Sequence, residues 1–138
     1  MREALLNGYT ELVAEIKERV RSAQYAALRA VNKELVALYW DIGRMIVERQ
    51  QGRSWGTAVV RTLADDLQKE FPGMSGFSAR NIWRMRDFFL AYHENEKVTP
   101  LVAQIGWSHN LVILEQCRDA LEREFYIRMT AKYGGEES

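Results

Sequence analysis

The chain of 138 residues carries 19 basic and 19 acidic side chains, and 47% of its residues are apolar. Burial of that much apolar surface can offset the entropy cost of folding, so a disordered chain is excluded. The balanced charge excludes a polycation that coats nucleic acid without specificity. A basic face opposite an acidic face remains compatible with this balance. The single Cys117 excludes an internal disulfide and a cysteine-rich zinc site.

The length predicts one domain spanning residues 1–138. The first residues show no secretory signal, and no apolar run approaches the roughly 20 residues needed to cross a membrane. A lone cysteine also fits a reducing compartment. We therefore expect a cytoplasmic location and no membrane partner.

Residues 9–50 lack proline, and their apolar side chains recur every three or four positions. This spacing predicts an amphipathic helix, either one long helix or a helix pair joined near residues 26–32. Thr10 is the expected N-cap, and Gln51-Gly52 is the expected stop. Residues 31–43 are apolar on more than one side, which indicates a central helix or a partner surface. Gly43 within them predicts close approach of another helix.

Residues 54–93 predict a helix over 55–70, a turn, and a second helix over 79–93. The helix caps and breakers that mark these boundaries are Ser54, Pro72, Gly73, Gly76 and Ser78. The expected buried side chains are Val59 or Val60, Leu63, Leu67, Phe71, Ile82, Met85 and Phe89, with Phe88 or Tyr92.

Residues 98–107 form a short apolar segment around Pro100, for which we expect a strand, a wing or an extended connector. Ser108 is the expected cap of the C-terminal helices over 108–133. The last of these runs from Ala120 to about Lys132, ends at Gly134-Gly135, and buries Phe125, Ile127 or Met129. The predicted fold class is all-α, with a helix-turn-helix or winged-helix-like core.

A series of short strings resembles the N-terminal domain of the YhcG family of bacterial proteins. They are VNKELV at 31–36, LYWDIG at 38–43, WG at 55–56, LADDL at 63–67, FP at 71–72, GFSARNI at 76–82, MRDF at 85–88, WSH at 107–109 and REFYI at 123–127. The resemblance implies a helical, winged-helix-like module for DNA binding or protein association. In that family the module usually precedes a nuclease domain of the PD-(D/E)XK type. The resemblance therefore implies a nuclease-associated module, which is either a domain excised from such a protein or the product of a short form of the gene, with a C-terminal nuclease domain as a possible partner.

No catalytic or metal-binding constellation is found in this chain. The one Glu-x-Lys string, at residues 15–17, has no upstream aspartate and no β-hairpin to build a nuclease site. Asp65 and Asp66 fit a solvated helix face near Arg61 and Lys69 better than an acid/base pair. His93 and His109 lack neighbouring ligands, and Cys117 is expected to pack in the core. We predict no enzyme activity, no metal and no cofactor.

The second helix of residues 54–93 carries a basic cluster near its start. Arg80 and Arg84 are four residues apart, and Asn81 lies three residues before Arg84. Helix N-termini attract phosphate, while arginine and asparagine pair with guanine and adenine edges. Arg53, Arg61 and Arg86 would add charge toward the DNA backbone.

Two hypotheses follow. The first is a non-catalytic DNA-binding or targeting module of a nuclease-associated protein, with the duplex contacted by Arg80, Asn81 and Arg84. The alternative is a protein interaction module, in which the N-terminal helix mediates homo-oligomerisation or docks on the nuclease domain. In that case the arginines pair with Asp66, Glu70 or Asp87 and lie over Trp83.

Overall fold

The computed structural model describes residues 8–51 and 56–133, which form six helices and no strand. The helices are α1 (Tyr9–Gln50), α2 (Thr57–Glu70), α3 (Ala79–Tyr92), α4 (Thr99–Val102), α5 (Trp107–Gln116) and α6 (Ala120–Tyr133). The all-α prediction is confirmed. The chain divides into two units, Met1–Val31 and Asn32–Ser138, and α1 contributes to both.

The second unit is built around α3, whose side chains enter two hydrophobic clusters. Ile82 and Met85 lie in a cluster with Tyr39, Ile46, Val60, Ala64 and Phe77. Phe88 and Tyr92 lie in the other, with Val36, Val98, Val102, Ile105, Ile113, Cys117 and Ile127. Trp107 packs against both clusters. Because α3 supplies the buried centre of each cluster, its N-terminal turn is held in a fixed place.

Gly43 lets α1 and α3 approach each other closely, as its position in the sequence predicts. A Cβ atom added at Gly43 would overlap the backbone carbonyl of Met85 and come within 3.2 Å of Phe89 Cβ. Only a residue without a side chain fits this crossing. The contact fixes α1 against the helix that carries the basic cluster.

Several helix boundaries differ from the sequence-based ones. Helix α1 begins at Tyr9, so Thr10 lies inside its first turn, and α5 begins at Trp107, so Ser108 is likewise inside a helix. Ser78 is the N-cap of α3, as predicted, and its Oγ accepts from the backbone N–H of Asn81 at 3.1 Å. Helix α2 follows Gly56. The predicted boundary residues that lie outside the described residues are Gly52, Ser54, Trp55, Gly134 and Gly135.

Within the segment 98–107, residues Thr99–Val102 form the short helix α4, and none of its residues forms a strand, so the strand alternative is wrong. The segment connects α3 to α5 through this helix and a turn. Thr99 Oγ1 lies within hydrogen-bond distance of the carbonyl oxygens of Tyr92 (2.9 Å) and Asn95 (2.8 Å), which share its one hydroxyl hydrogen and close a tight turn onto the end of α3. Pro100 sits in the first turn of α4, where a missing N–H costs no hydrogen bond. Val98 and Val102 are then buried in the core.

Burial follows helical geometry rather than hydrophobicity alone. Val60, Ile82, Met85 and Ile127 are buried, whereas Phe71, Phe125 and Met129 are exposed. Phe125 and Met129 are each two residues from Ile127, and residues two apart on a helix point away from each other. Their exposure, with that of Leu121, Tyr126 and Tyr133, leaves α6 apolar on its outer side.

Candidate interaction surfaces

The candidate DNA-contacting residues of the described chain lie on the α2–α3 corner, meaning residues 57–92. Gly76 adopts φ 104°, a left-handed conformation suited to glycine, as the chain turns toward α3. The amide of Gln68 donates to the carbonyl of Phe77 at 2.9 Å, which ties the turn back to α2. The corner is therefore a rigid platform for the first turn of α3.

The side chain of Asn81 forms hydrogen bonds within this platform. Its Nδ2 donates to the carbonyl of Gly76 at 2.7 Å, and its Oδ1 accepts from the indole Nε1–H of Trp107 at 3.0 Å. These bonds link the turn to α5 and engage the amide group that base recognition would use. One Nδ2 hydrogen remains beyond the bond to Gly76.

Arg84 and Arg86 are both engaged by neighbouring side chains. Arg84 forms an ion pair with Glu115 of α5 at 2.8 Å, and its side chain is 27% exposed. Arg86 Nε donates to Gln50 Oε1 at 2.7 Å, and its Nη1 approaches Asp87 Oδ1 at 3.3 Å. Its guanidinium also lies 5.6 Å from the Trp83 ring centroid, within cation–π range.

Among the described members of the set, Arg61 and Arg80 are the exposed cations. Neither has an ion-pair or hydrogen-bond partner among residues 8–51 and 56–133. Arg80 follows the N-cap directly, in the first turn of α3, where unpaired backbone N–H groups also point outward. Arg53 lies outside the described residues.

The candidate metal-binding and acid/base side chains do not form a common site in the described residues. Within the described ranges, no group of three or more histidine, cysteine or acidic side chains could hold a metal ion. Asp65, Asp66 and His109 are exposed, and the ring of His93 stacks on Phe89 at 4.6 Å. Cys117 is buried among apolar side chains, and this burial raises the pKa of its thiol. A raised pKa leaves the thiol protonated and unreactive.

Burial also raises the pKa of the Tyr92 phenol to about 12. Its hydroxyl has no hydrogen-bond partner in the part of the chain that the structure describes. Tyr92 therefore acts as a core aromatic residue, and its phenol is not available as an acid or base near neutral pH.

A second candidate surface lies on the first part of α1. Large apolar side chains between residues 9 and 31 are 48–60% exposed, and they are Tyr9, Leu12, Ile16, Val20, Leu28 and Val31. The sequence predicts an apolar face along the whole of residues 9–50 and a wider one at 31–43, where the structure buries Val36, Tyr39 and Gly43. An eleven-residue repeat of apolar positions from Leu12 to Val31 is the signal that marks this surface.

None of the described helices is both long enough and apolar enough to cross a membrane.

Comparison with known proteins identifies the family. The family model described as DUF1016 N-terminal domain matches residues 15–135. A protein of Escherichia coli (strain K12) with the name "Putative nuclease YhcG" is 35% identical over 98 residues, which cover 68% of this chain and 26% of that protein. The chain thus spans about a quarter of that relative's length. No solved structure matches. The chain belongs to the DUF1016 N-terminal domain family, which confirms the resemblance to YhcG.

Proposed function

We propose that this member of the DUF1016 N-terminal domain family is a non-catalytic, cytoplasmic assembly module of a nuclease-associated protein. Residues 9–31 of α1 bring copies of the protein together, and the second unit presents the α2–α3 corner. The relative's name supports the nuclease association. The exposed apolar face of α1 carries the assembly role.

That face is costly to leave in water. Fully burying one large aliphatic side chain stabilises a protein by about 1.5–3 kcal/mol, so covering each half-exposed one is worth on the order of 1 kcal/mol. Contiguous apolar surface of this kind marks a protein interaction site on a soluble protein. A helix of this length also depends on packing for most of its stability, and a partner helix supplies it.

The test is sedimentation equilibrium of the whole chain, whose monomer mass is 16.0 kDa. We expect a mass above the monomer value that falls on dilution. Ile16→Asp should shift the protein toward monomer, because it places a charge in the apolar face. Ala14→Asp is the matched control, since it adds the same charge on the opposite side of the same helix. A wild-type chain that stays monomeric at high concentration would refute the assembly role.

DNA binding at the α2–α3 corner is a second candidate, favoured by the exposed and unpaired Arg61 and Arg80. In this proposal Arg80 contacts the duplex and Arg61 adds charge near it. Asn81, Arg84 and Arg86 contribute after exchanging part of their internal contacts, and Arg53 would extend the basic surface.

A duplex titration across salt concentrations tests this second candidate. Phosphate contacts make affinity fall steeply as salt rises. Arg80→Ala should weaken binding, whereas Arg118→Ala removes the same charge from an exposed position before α6 and should not. Equal loss in both variants, or binding that ignores salt, would argue against a specific contact at the corner.

A further inference from the structure

We infer that residues 9–31 pair with the same residues of a second copy in the antiparallel orientation. This inference rests on the self-association proposed above and adds the partner's direction and register. Three features of the exposed face support it: the spacing of its apolar positions, the sizes of the side chains there, and the distribution of charge along the helix.

The apolar positions form two equivalent sets eleven residues apart. Eleven residues make three turns of an α-helix, so both sets lie on one nearly straight face. The first set is Leu12, Ile16 and Val20, and the second is Ala23, Ala27 and Val31. The spacing within each set is four residues, and three residues separate the sets. This spacing reads the same in both directions, so an antiparallel copy places every apolar position opposite another.

Side-chain size favours the antiparallel arrangement. In that register each layer joins a larger residue to a smaller one: Leu12 to Val31, Ile16 to Ala27, and Val20 to Ala23. The distance between helix axes depends on the side chains at the contact, so matched layers keep the two helices evenly separated. A parallel pair in register would set Leu12, Ile16 and Val20 against their own copies at the large end, followed by two alanine layers before Val31. The large end would hold the alanines apart, and voids would remain between them.

Charge favours the same direction. Residues 9–18 carry three acids and one base, namely Glu11, Glu15, Glu18 and Lys17. Residues 19–31 carry three bases and no acid, namely Arg19, Arg21 and Arg29. An antiparallel pair lays the acidic stretch of one copy along the basic stretch of the other. A parallel pair brings the two acidic stretches together and the two basic stretches together, and this like-charge arrangement disfavours that orientation.

Disulfide cross-linking of the whole chain reads the direction. Each variant carries Cys117→Ala, so that the introduced cysteine is the only thiol. Leu12→Cys and Val31→Cys chains, which differ in mass, are mixed under reducing conditions and then oxidised at equilibrium. We expect the mixed disulfide to be the main cross-linked product in the mass spectrum. Ala14→Cys, on the far side of the helix, is the matched control and should cross-link little with either chain.

The outcomes separate the direction from the assembly itself. If each cysteine variant links mainly to itself while sedimentation still shows a dimer, the antiparallel inference is overturned and the assembly role stands. If sedimentation shows only monomer, both fail. Circular dichroism on each reduced variant confirms that the cysteine substitutions leave the helices folded, so that a missing cross-link reports on pairing.

Discussion

Two stretches of α1 have similar apolar periodicity and opposite environments. From Val36 to Ile46 the apolar face is buried against α3 and the core of the second unit. From Leu12 to Val31 the apolar face is exposed. Periodicity therefore specifies a helix and the direction of its apolar face, but not what covers that face. The covering is intramolecular for one stretch, and we propose that it is intermolecular for the other.

The largest effect should come from one substitution made in both stretches. Ile46 is 4% exposed and Ile16 is 53% exposed, and both lie in α1. Ile46→Ala removes buried methyl groups and leaves a cavity, so we expect a loss of about 2–5 kcal/mol in the free energy of unfolding. Ile16→Ala should cost less than about 0.5 kcal/mol in the monomer, because its side chain is already in water. Urea denaturation followed by circular dichroism measures both.

The chain concentration decides what the Ile16→Ala variant reports. At concentrations where the protein is monomeric, the stability of Ile16→Ala should equal that of the wild type. At higher concentrations, where the wild type associates, the variant should associate less. A large loss of monomer stability on Ile16→Ala would mean that the first stretch packs within its own chain. The apolar faces of both stretches would then be covered within one chain, contrary to the proposal.

Much of the fold could be predicted because local patterns specify it. Pro72, Gly76 and Ser78 mark the α2–α3 turn by backbone chemistry that does not depend on distant contacts. Gly43 signals a close helix crossing because glycine is otherwise unfavourable inside a helix. The segment around Pro100 could not be predicted as helical, since its conformation depends on Thr99 contacting carbonyls at the end of α3.

The candidate site was predicted only as a set of residues, not as a set of contacts. Sequence spacing places Asn81 and Arg84 near one another on a helix, and the structure agrees. It could not predict that Trp107 and Glu115 on α5 would engage them, because those contacts join positions 26 and 31 residues apart. The chain therefore indicates where a polar surface forms, while tertiary packing decides which of its groups stay available.

The substitution Gly43→Ala tests the packing of the buried stretch of α1. In Gly43→Ala the new Cβ overlaps the Met85 carbonyl, so α1 and α3 must separate. Overpacking costs about 1–3 kcal/mol and the gain in helix propensity offsets about 1 kcal/mol, so we expect a net loss of up to about 2 kcal/mol. Gly73→Ala is the control, because nothing lies within 4 Å of a Cβ atom there. Thermal unfolding compares the two, and equal melting temperatures would argue against the close crossing.

Removing the Asn81 side chain tests whether that residue works within the fold. Asn81→Ala leaves the Trp107 indole N–H and the Gly76 carbonyl without their partner. We expect a loss of about 1 kcal/mol, since both groups are only partly buried and water can replace some of the bonds. Trp107 fluorescence should change as its hydrogen bond is lost. Unchanged stability and unchanged fluorescence would contradict a structural role for Asn81 and favour a role at the surface.

The smallest effect should distinguish the arginines of the corner. Arg84→Ala breaks a partly exposed ion pair with Glu115, so a loss of at most about 1 kcal/mol is expected. Arg80→Ala breaks no contact that the structure describes and should leave stability unchanged. Denaturant midpoints of the two variants, compared with duplex affinity, separate a structural arginine from an available one. If Arg84→Ala leaves stability unchanged but weakens DNA binding, Arg84 exchanges its ion pair with Glu115 for a contact with the duplex. The corner would then resemble the exposed stretch of α1, because both would have side chains available to a binding partner.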